Sequence, residues 1–356
     1  MHGIQLTPLA DVVQSEGLSW YAPMPIEAVP DLPDVARNSK IVLLEDGKPL
    51  AFPHTNHNEI RRLGGGRYSH WDNYLLFSTS DNSSPLSNGR RYSVTLCDDS
   101  DCPEIEAEGL DLEAAYQLFR ESDLLIVRNL IPVTRLAHFR DLALAAYERQ
   151  DELRRQGMLS DEHSYKTGFL FDAEVLAATG GAFSMYDIPS VPALHALVSY
   201  IFRREGAAAW RYFGAQLRRV SAPKQSWSIH TKWHNDQHAV VDDGLLLVVN
   251  SPLMPIGFDA PGLAFVKTPR DRVKQYVGWD PSKPYEVDEG GQSTRFDGTA
   301  FQPERLEQAF GDRMIRPRLK PGDVAIFTGW TIHSAYVYPE MTGWRIGVEN
   351  RFKEMA

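Results

Sequence analysis

The chain of 356 residues contains only two cysteines, and that scarcity excludes two architectures at once. Cys97 and Cys102 in "CDDSDC" cannot supply a four-thiolate zinc site, nor can they staple a chain of this length. They are expected to be free thiols in a reducing compartment, which points to the cytoplasm. Long apolar runs are also missing. No stretch approaches the roughly 18 residues of a membrane span, and the opening "MHGIQLTPLADVVQSEG" lacks the basic start and apolar stretch of a signal peptide. Basic clusters are absent, and a formal net charge of −10 argues against nucleic acid as a partner. What is present is 43% hydrophobic and 24% charged residues, the composition of a globular chain with a real core.

The first 35 or so residues are Pro-rich and aperiodic, an expected extended arm. "KIVLLEDGKPLAF" predicts a hairpin turning at Asp46-Gly47, and "YLLFSTS" and "RRYSVTL" predict two more strands. The acidic "CDDSDCPEIEAEG" marks a boundary that divides the chain into an N-terminal β-rich segment, 1–105, and a larger domain, 106–356. Helical periodicity follows in "LDLEAAYQLFRESD" and in the long "PVTRLAHFRDLALAAYERQDELRRQG", with the apolar strand "LLIVRNL" between them. "PSVPALHALVSYIFRREGAAAWRYFG" predicts one or two further helices. After Leu217 the chain returns to strands: "LLLVVNSPL", "LAFVKTP", "DVAIFTG" and "RIGVENRF". Helices first and then a run of strands joined by Gly/Pro turns predict an α+β chain with a helix-supported β-sandwich or barrel.

The chemistry concentrates in "SIHTKWHNDQHAVV", where His230, His234, Asp236 and His238 fall within nine residues. On a helix the histidines would share one face, but no Glu follows the first of them as a zincin requires, and Ser, Ile, Thr, Asn and Asp are poor helix formers. On a strand, His230, Lys232, His234, Asp236 and His238 share a face, so His234-x-Asp236 aims an imidazole and a carboxylate at one spot. His-x-Asp is common by chance, and surface histidines beside an acid are the bland reading. A third ligand from a distant strand is needed, and His333 in "GDVAIFTGWTIHSA" is the candidate. Two histidines and one carboxylate on one octahedral face make the facial triad of non-haem Fe(II) oxygenases.

These motifs, with "SDLLIVRNLIP" before the long helix and Arg345 in "WRIGVENRF", resemble the Fe(II)/2-oxoglutarate-dependent oxygenases, in particular the phytanoyl-CoA dioxygenase-like branch. The resemblance runs from about residue 110 to the C-terminus. It implies a double-stranded β-helix (jelly-roll) core, His234, Asp236 and His333 as iron ligands, and Arg345 paired with the distal carboxylate of 2-oxoglutarate. It also implies O2 as co-reactant, and hydroxylation or oxidative ring closure as outcome. The aspartate is present where halogenases of the superfamily carry a small residue, so oxygen chemistry is expected. Arg351 shares strand parity with Arg345 and is either a second candidate for the cosubstrate, a substrate contact or an ion-pair partner of Glu349 or another acid. His230 and His238 are expected to be partly exposed and structural, and Trp227 and Trp233 to pack the core.

Residues expected to frame a substrate are His163, Tyr165, Lys166, Gln225, Lys232 and Trp330. The stretch from Pro269 to Asp312 shows little periodicity and is expected to be a long closing loop. In the N-terminal segment, "LGGGRYSHW" lacks the Gly-Lys-Ser/Thr of a phosphate cradle, and His54, His57 and His70 are expected at the surface. Its mixture of aromatics, Asn, Ser and Arg suits a sugar or another polar small molecule, or a cap or dimer surface. It weakly resembles segments of sugar-tailoring enzymes, including those that form orthoesters. The expected substrate is therefore a small polar natural product, glycosylated ones included, of the kind made in antibiotic biosynthesis. A different class stays open: a non-catalytic carbohydrate-binding protein with a structural metal.

Overall fold

Strand β3 (Trp20–Pro23) alternates buried and exposed side chains, the period expected where one sheet face meets a core. The structure is a computed structural model that describes all residues except 1–5, 32–38, 51, 97–101, 159–168, 183, 221–232, 240–243, 284–294, 296, 338–340 and 356. Strand β3 lies between β2 (Val13–Gln14) and β7 (Tyr74–Phe77), with β6 (Tyr68–Trp71) beyond β7. A second sheet runs in the order β1 (Thr7–Pro8), β8 (Tyr92–Leu96), β4 (Ile41–Glu45), β5 (Lys48–Pro49). Trp20, Leu43, Phe77 and Val94 share one core between the two sheets. The hairpin expected at Asp46-Gly47 joins β4 to β5, and both turn residues have positive φ, 50° and 80°, as a type I′ turn demands. "YLLFSTS" and "RRYSVTL" supply β7 and β8, in different sheets. Helix α1 (His57–Leu63) ends at Gly64, where a side chain would collide with Asn82, so close packing accounts for a glycine there.

The larger part begins with β9 (Glu104–Glu106), which straddles the boundary expected from the sequence. Helix α2 (Leu112–Ser122) is capped by Asp111, whose carboxylate accepts from the amides of Glu113 and Ala114. Strand β10 (Leu124–Arg128) and helix α3 (Val133–Arg155) follow as expected, then β11 (Phe169–Phe171), α4 (Asp172–Ala178) and α5 (Pro192–Arg204). The expected helical continuation into "AAAWRYFG" is wrong. Gly206, at φ 90°, leaves helical space, and β12 (Trp210–Val220) already alternates half-buried Trp210 and Tyr212 with exposed Arg211 and Phe213. Aromatic residues that pack on one face favour a strand.

Seven strands form one sheet in the order β11, β12, β18 (Arg345–Glu354), β13 (Leu246–Pro252), β16 (Val324–Thr328), β10, β9. A smaller sheet runs β15 (Met314–Ile315), β14 (Gly262–Val266), β17 (His333–Tyr336). Helices cover one face of the large sheet, where Phe119, Leu136, Ile201, Leu217 and Val348 pack together. On its other face Ile126, Val248 and Phe327 meet Leu263, Phe265 and Ile315 of the small sheet. The result is a mixed α/β architecture in which two sheets pack face to face over an apolar core.

The stretch after Pro269 is not a plain loop. It contains α6 (Arg270–Tyr276) and α7 (Pro303–Phe310), and Val273, Val277, Leu306 and Phe310 pack with Trp330 and Ile332. Pro303 at the first helical turn and the apolar spacing of "PERLEQAF" explain α7.

Two of the three histidines expected at the surface are buried. His54 Nδ1 pairs with Asp31 at 2.8 Å, and its Nε2 lies 3.0 Å from Lys320 Nζ. Lys320 and Arg128 both reach Asp323, at 3.5 and 3.0 Å. His70 hydrogen-bonds Ser39. A charge is tolerated in such a place only with partners, and these partners join the N-terminal sheets to β10 and the approach to β16. His57 is half-buried, edge-on to Trp71.

Candidate metal centre

His234 and His333 meet through their backbones. The His234 amide donates to the His333 carbonyl at 3.0 Å, and the His333 amide returns the bond at 2.8 Å, an isolated antiparallel bridge. Residues paired in this way present side chains to the same side, and the two imidazole centroids stand 4.3 Å apart. His333 opens β17 opposite Phe265, with the Phe327 ring 4.9 Å away. Its Nδ1 lies 3.0 Å from the Thr331 carbonyl. A carbonyl only accepts, so Nδ1 carries the proton and Nε2 keeps its lone pair for a metal. Burial lowers the His333 pKa, against the opposing pull of Asp236, and favours the neutral ligand form.

The regular strand expected through Asp236 and His238 is not there. The chain leaves the extended conformation after Asn235, and Asp236–Ala239 is a 3-10 turn. The amide of Gln237 donates to the Gly329 carbonyl at 2.8 Å, which pins this turn beside the segment leading to His333. The turn still delivers the carboxylate: His234 Nε2 lies 3.8 Å from Asp236 Oδ1. One ligand atom from each of His234, Asp236 and His333 falls within 4.8 Å of the others, so the group could hold a metal ion.

Strand β18 runs past this group. Arg345, Gly347, Glu349 and Arg351 share its inner face by parity. Arg351 Nη2 donates to Asp236 Oδ2 at 3.1 Å and lies 3.5 Å from Glu349 Oε2. Burial would lower the Arg351 pKa, but Asp236 and Glu349 outweigh it and raise the value. Arg345 is 1% exposed, and its guanidinium donates to Glu349 at 3.3 Å and to the Gly262 carbonyl at 3.4 Å. Burial, followed by the charge of Arg218, pulls Arg345 down to about 9, with Glu349 opposing. Glu349 also accepts from Arg218 at 2.9 Å and from Asn250 at 3.3 Å. Its burial works upward, but Arg218, Arg351 and Arg345 prevail and hold it at about 2.

Of the residues expected at the site, His234, Asp236 and His333 come together, with Arg345 and Arg351 on the adjoining strand. His163, Tyr165, Lys166, Gln225, Trp227, His230 and Lys232 lie outside the described residues, as does the side chain of His238. Trp330 is buried, edge-on to Trp279 at 5.0 Å with Lys274 Nζ over its ring, and Trp233 packs against the same cluster. Sequence reasoning missed Arg218 and the central place of Glu349. Strand parity along "RIGVENRF" was the available signal for Glu349; for Arg218 the sequence carried none.

No protein-family model and no curated protein matches the chain. Among solved structures it is similar to the non-heme alpha ketoglutarate dependent epimerase SnoN from nogalamycin biosynthesis, at 17% identity over 68% of this chain and 83% of that one, with a TM-score of 0.43. SnoN in complex with Fe3+, alpha ketoglutarate and nogalamycin RO matches at 18% identity with the same coverages and TM-score. The non-heme alpha ketoglutarate dependent carbocyclase SnoK, of the same biosynthesis, matches at 15% over 70% of this chain and 87% of that one, again with a TM-score of 0.43. Similarity of this degree does not make the chain a member of their family.

Proposed function

We propose that this protein is a non-haem Fe(II)/2-oxoglutarate-dependent dioxygenase, with His234, Asp236 and His333 as metal ligands and Arg345 as the anchor for the distal carboxylate of the cosubstrate. The observation that carries the reading is the convergence of two imidazoles and one carboxylate, His234 and Asp236 from one segment and His333 from another, with Arg351 donating to Asp236 and the buried Arg345 on the same strand. The donor set fits Fe(II), since two neutral nitrogens and one carboxylate leave coordination positions for a keto acid and O2. Such an ion would couple oxidative decarboxylation of 2-oxoglutarate to attack on an unactivated C–H bond. The chain's own residues do the rest. Thr331 fixes the His333 tautomer, Arg351 holds one oxygen of Asp236, and apolar side chains packed between the sheets keep water from the side of His333 that faces Phe265 and Phe327.

In this reading residues 106–356 form a jelly-roll oxygenase domain of the phytanoyl-CoA dioxygenase-like branch, and 1–105 an appended β-rich segment. The substrate is a small polar natural product, sugar-containing ones included, that is hydroxylated or cyclised. Among the described residues no helix is long and apolar enough to cross a membrane. Succinate release from 2-oxoglutarate, screened over candidate substrates, tests the reading. Substrate-stimulated succinate that disappears in Asp236→Ala supports it. Wild-type turnover in Asp236→Ala would overturn the ligand assignment.

A further inference from the structure

Glu349 is not in the candidate metal group, yet it sits at the centre of the charged side chains on the inner face of β18. Its Oε1 accepts from Arg218 at 2.9 Å and from Asn250 and Arg345 at 3.3 Å each, and its Oε2 lies 3.5 Å from Arg351. Arg218, Asn250, Arg345 and Glu349 are all at most 5% exposed. The partners are unequal. Arg218 and Asn250 come from strands on either side of β18 and fix the carboxylate, with the shortest bond from Arg218. Arg345 is held loosely, by one long bond to this carboxylate and a longer one to the Gly262 carbonyl.

An anchor for an exchangeable carboxylate must endure periods without it, and a buried guanidinium with no counter-ion is strongly unfavourable. We propose that Glu349 is a resident stand-in for the distal carboxylate of the cosubstrate: it neutralises Arg345 when the cosubstrate is away and competes with it on arrival. Glu349 therefore sets how tightly dicarboxylates bind. The inference rests on the reading of Arg345 as the anchor. It differs from a merely structural role in sign. If Glu349 only oriented Arg345, removing its charge would weaken dicarboxylate binding. As a competitor, its removal strengthens binding, because two like charges no longer share one guanidinium.

The test uses metal-free protein and glutarate, a five-carbon dicarboxylate without the keto group, titrated by calorimetry. Glu349→Gln is expected to bind glutarate roughly ten- to a hundred-fold more tightly than wild type, from the loss of one charge repulsion at close range. The unfolding midpoint of the variant is expected to fall and then recover with glutarate by more than wild type gains, because the ligand restores the missing charge. Acetate at equal ionic strength should not produce that recovery. Unchanged or weaker glutarate binding in Glu349→Gln would overturn the inference. Should that variant fail to fold even with glutarate, Glu349→Asp withdraws the carboxylate from Arg345 by one methylene. It is expected to bind glutarate about threefold more tightly or better, and equal or weaker binding overturns the inference equally. Arg345→Gln separates the two readings: glutarate binding that persists there removes Arg345 as the anchor, whatever Glu349 does.

Discussion

In the proposed site, Arg351 would orient the carboxylate of Asp236 toward the metal. Its guanidinium donates to Oδ2, while Oδ1 is the oxygen nearer His234. Partners of this kind orient a ligand, and their loss typically lowers metal affinity about 10- to 100-fold. Arg351→Gln is expected to weaken Fe(II) binding by that amount in anaerobic equilibrium dialysis, and an unchanged affinity would contradict the clamp. Arg345→Lys acts elsewhere. It keeps the charge but loses the planar fork, and a charge-assisted hydrogen bond contributes roughly 1.5–3 kcal/mol. Apparent 2-oxoglutarate affinity should fall about ten- to a hundred-fold, with Fe(II) binding intact. The four proposed site residues were legible because their types have few other reasons to recur in that order. Arg218 was not, because a charged residue in a strand reads as exposed. Only the pairing of β12 with β18, which sets Arg218 opposite Gly347 and beside Glu349, shows that it points inward.

At the scale of elements, the two histidine-bearing segments share a support. Trp330 and Ile332 flank the approach to His333, Trp233 precedes His234, and all three pack with α6 and α7. Trp330→Ala should therefore do more than open a cavity. A loss of about 3–5 kcal/mol in urea unfolding is expected from the truncation, together with weaker Fe(II) binding as both histidines lose their backing. Full metal affinity in a destabilised variant would show that the helical insert does not position the site. Most elements were readable from period and punctuation: the Asp46-Gly47 hairpin, the amphipathic α2, the apolar runs of β10, β13 and β16. The errors share a cause. Alternation in "SIHTKWHND" predicts one regular strand, but Asp236 sits in a 3-10 turn held by Gln237 and Gly329, a contact between distant segments. The insert helices were overlooked for the same reason, since short helices depend on a tertiary core more than on local pattern.

Across the whole molecule, the N-terminal sheets are fastened to the seven-stranded sheet by Asp31, His54, Lys320, Asp323 and Arg128. Burial lowers the His54 pKa below its ordinary 6.5, although Asp31 pulls the other way. The unfolded chain then takes up the proton first, so this contribution is complete above about pH 6.5 and declines below it. Asp31 and Asp323 lie below their ordinary 3.8 despite burial, held there chiefly by His54 and by Lys320 respectively. Their contribution is lost only as the pH falls below that value. The unfolding midpoint is expected to be flat near neutrality and to drop as the pH passes below 6.5. His54→Gln should shrink that drop without abolishing it, because burial also lowers His70. A midpoint that rises on acidification below 6.5 would contradict the arrangement. None of this fastening could be read from the sequence, where Asp31, His54 and Lys320 are far apart and of types that usually face water.

Anaerobic titration of 2-oxoglutarate into the Fe(II)-loaded protein tests the central claim most directly. Chelation of the ion by the keto acid is expected to give a weak visible charge-transfer band that saturates with the cosubstrate and is absent in His234→Ala, Asp236→Ala and His333→Ala. A band of full intensity in any of these variants, or no band in wild-type protein shown to hold iron, would contradict it.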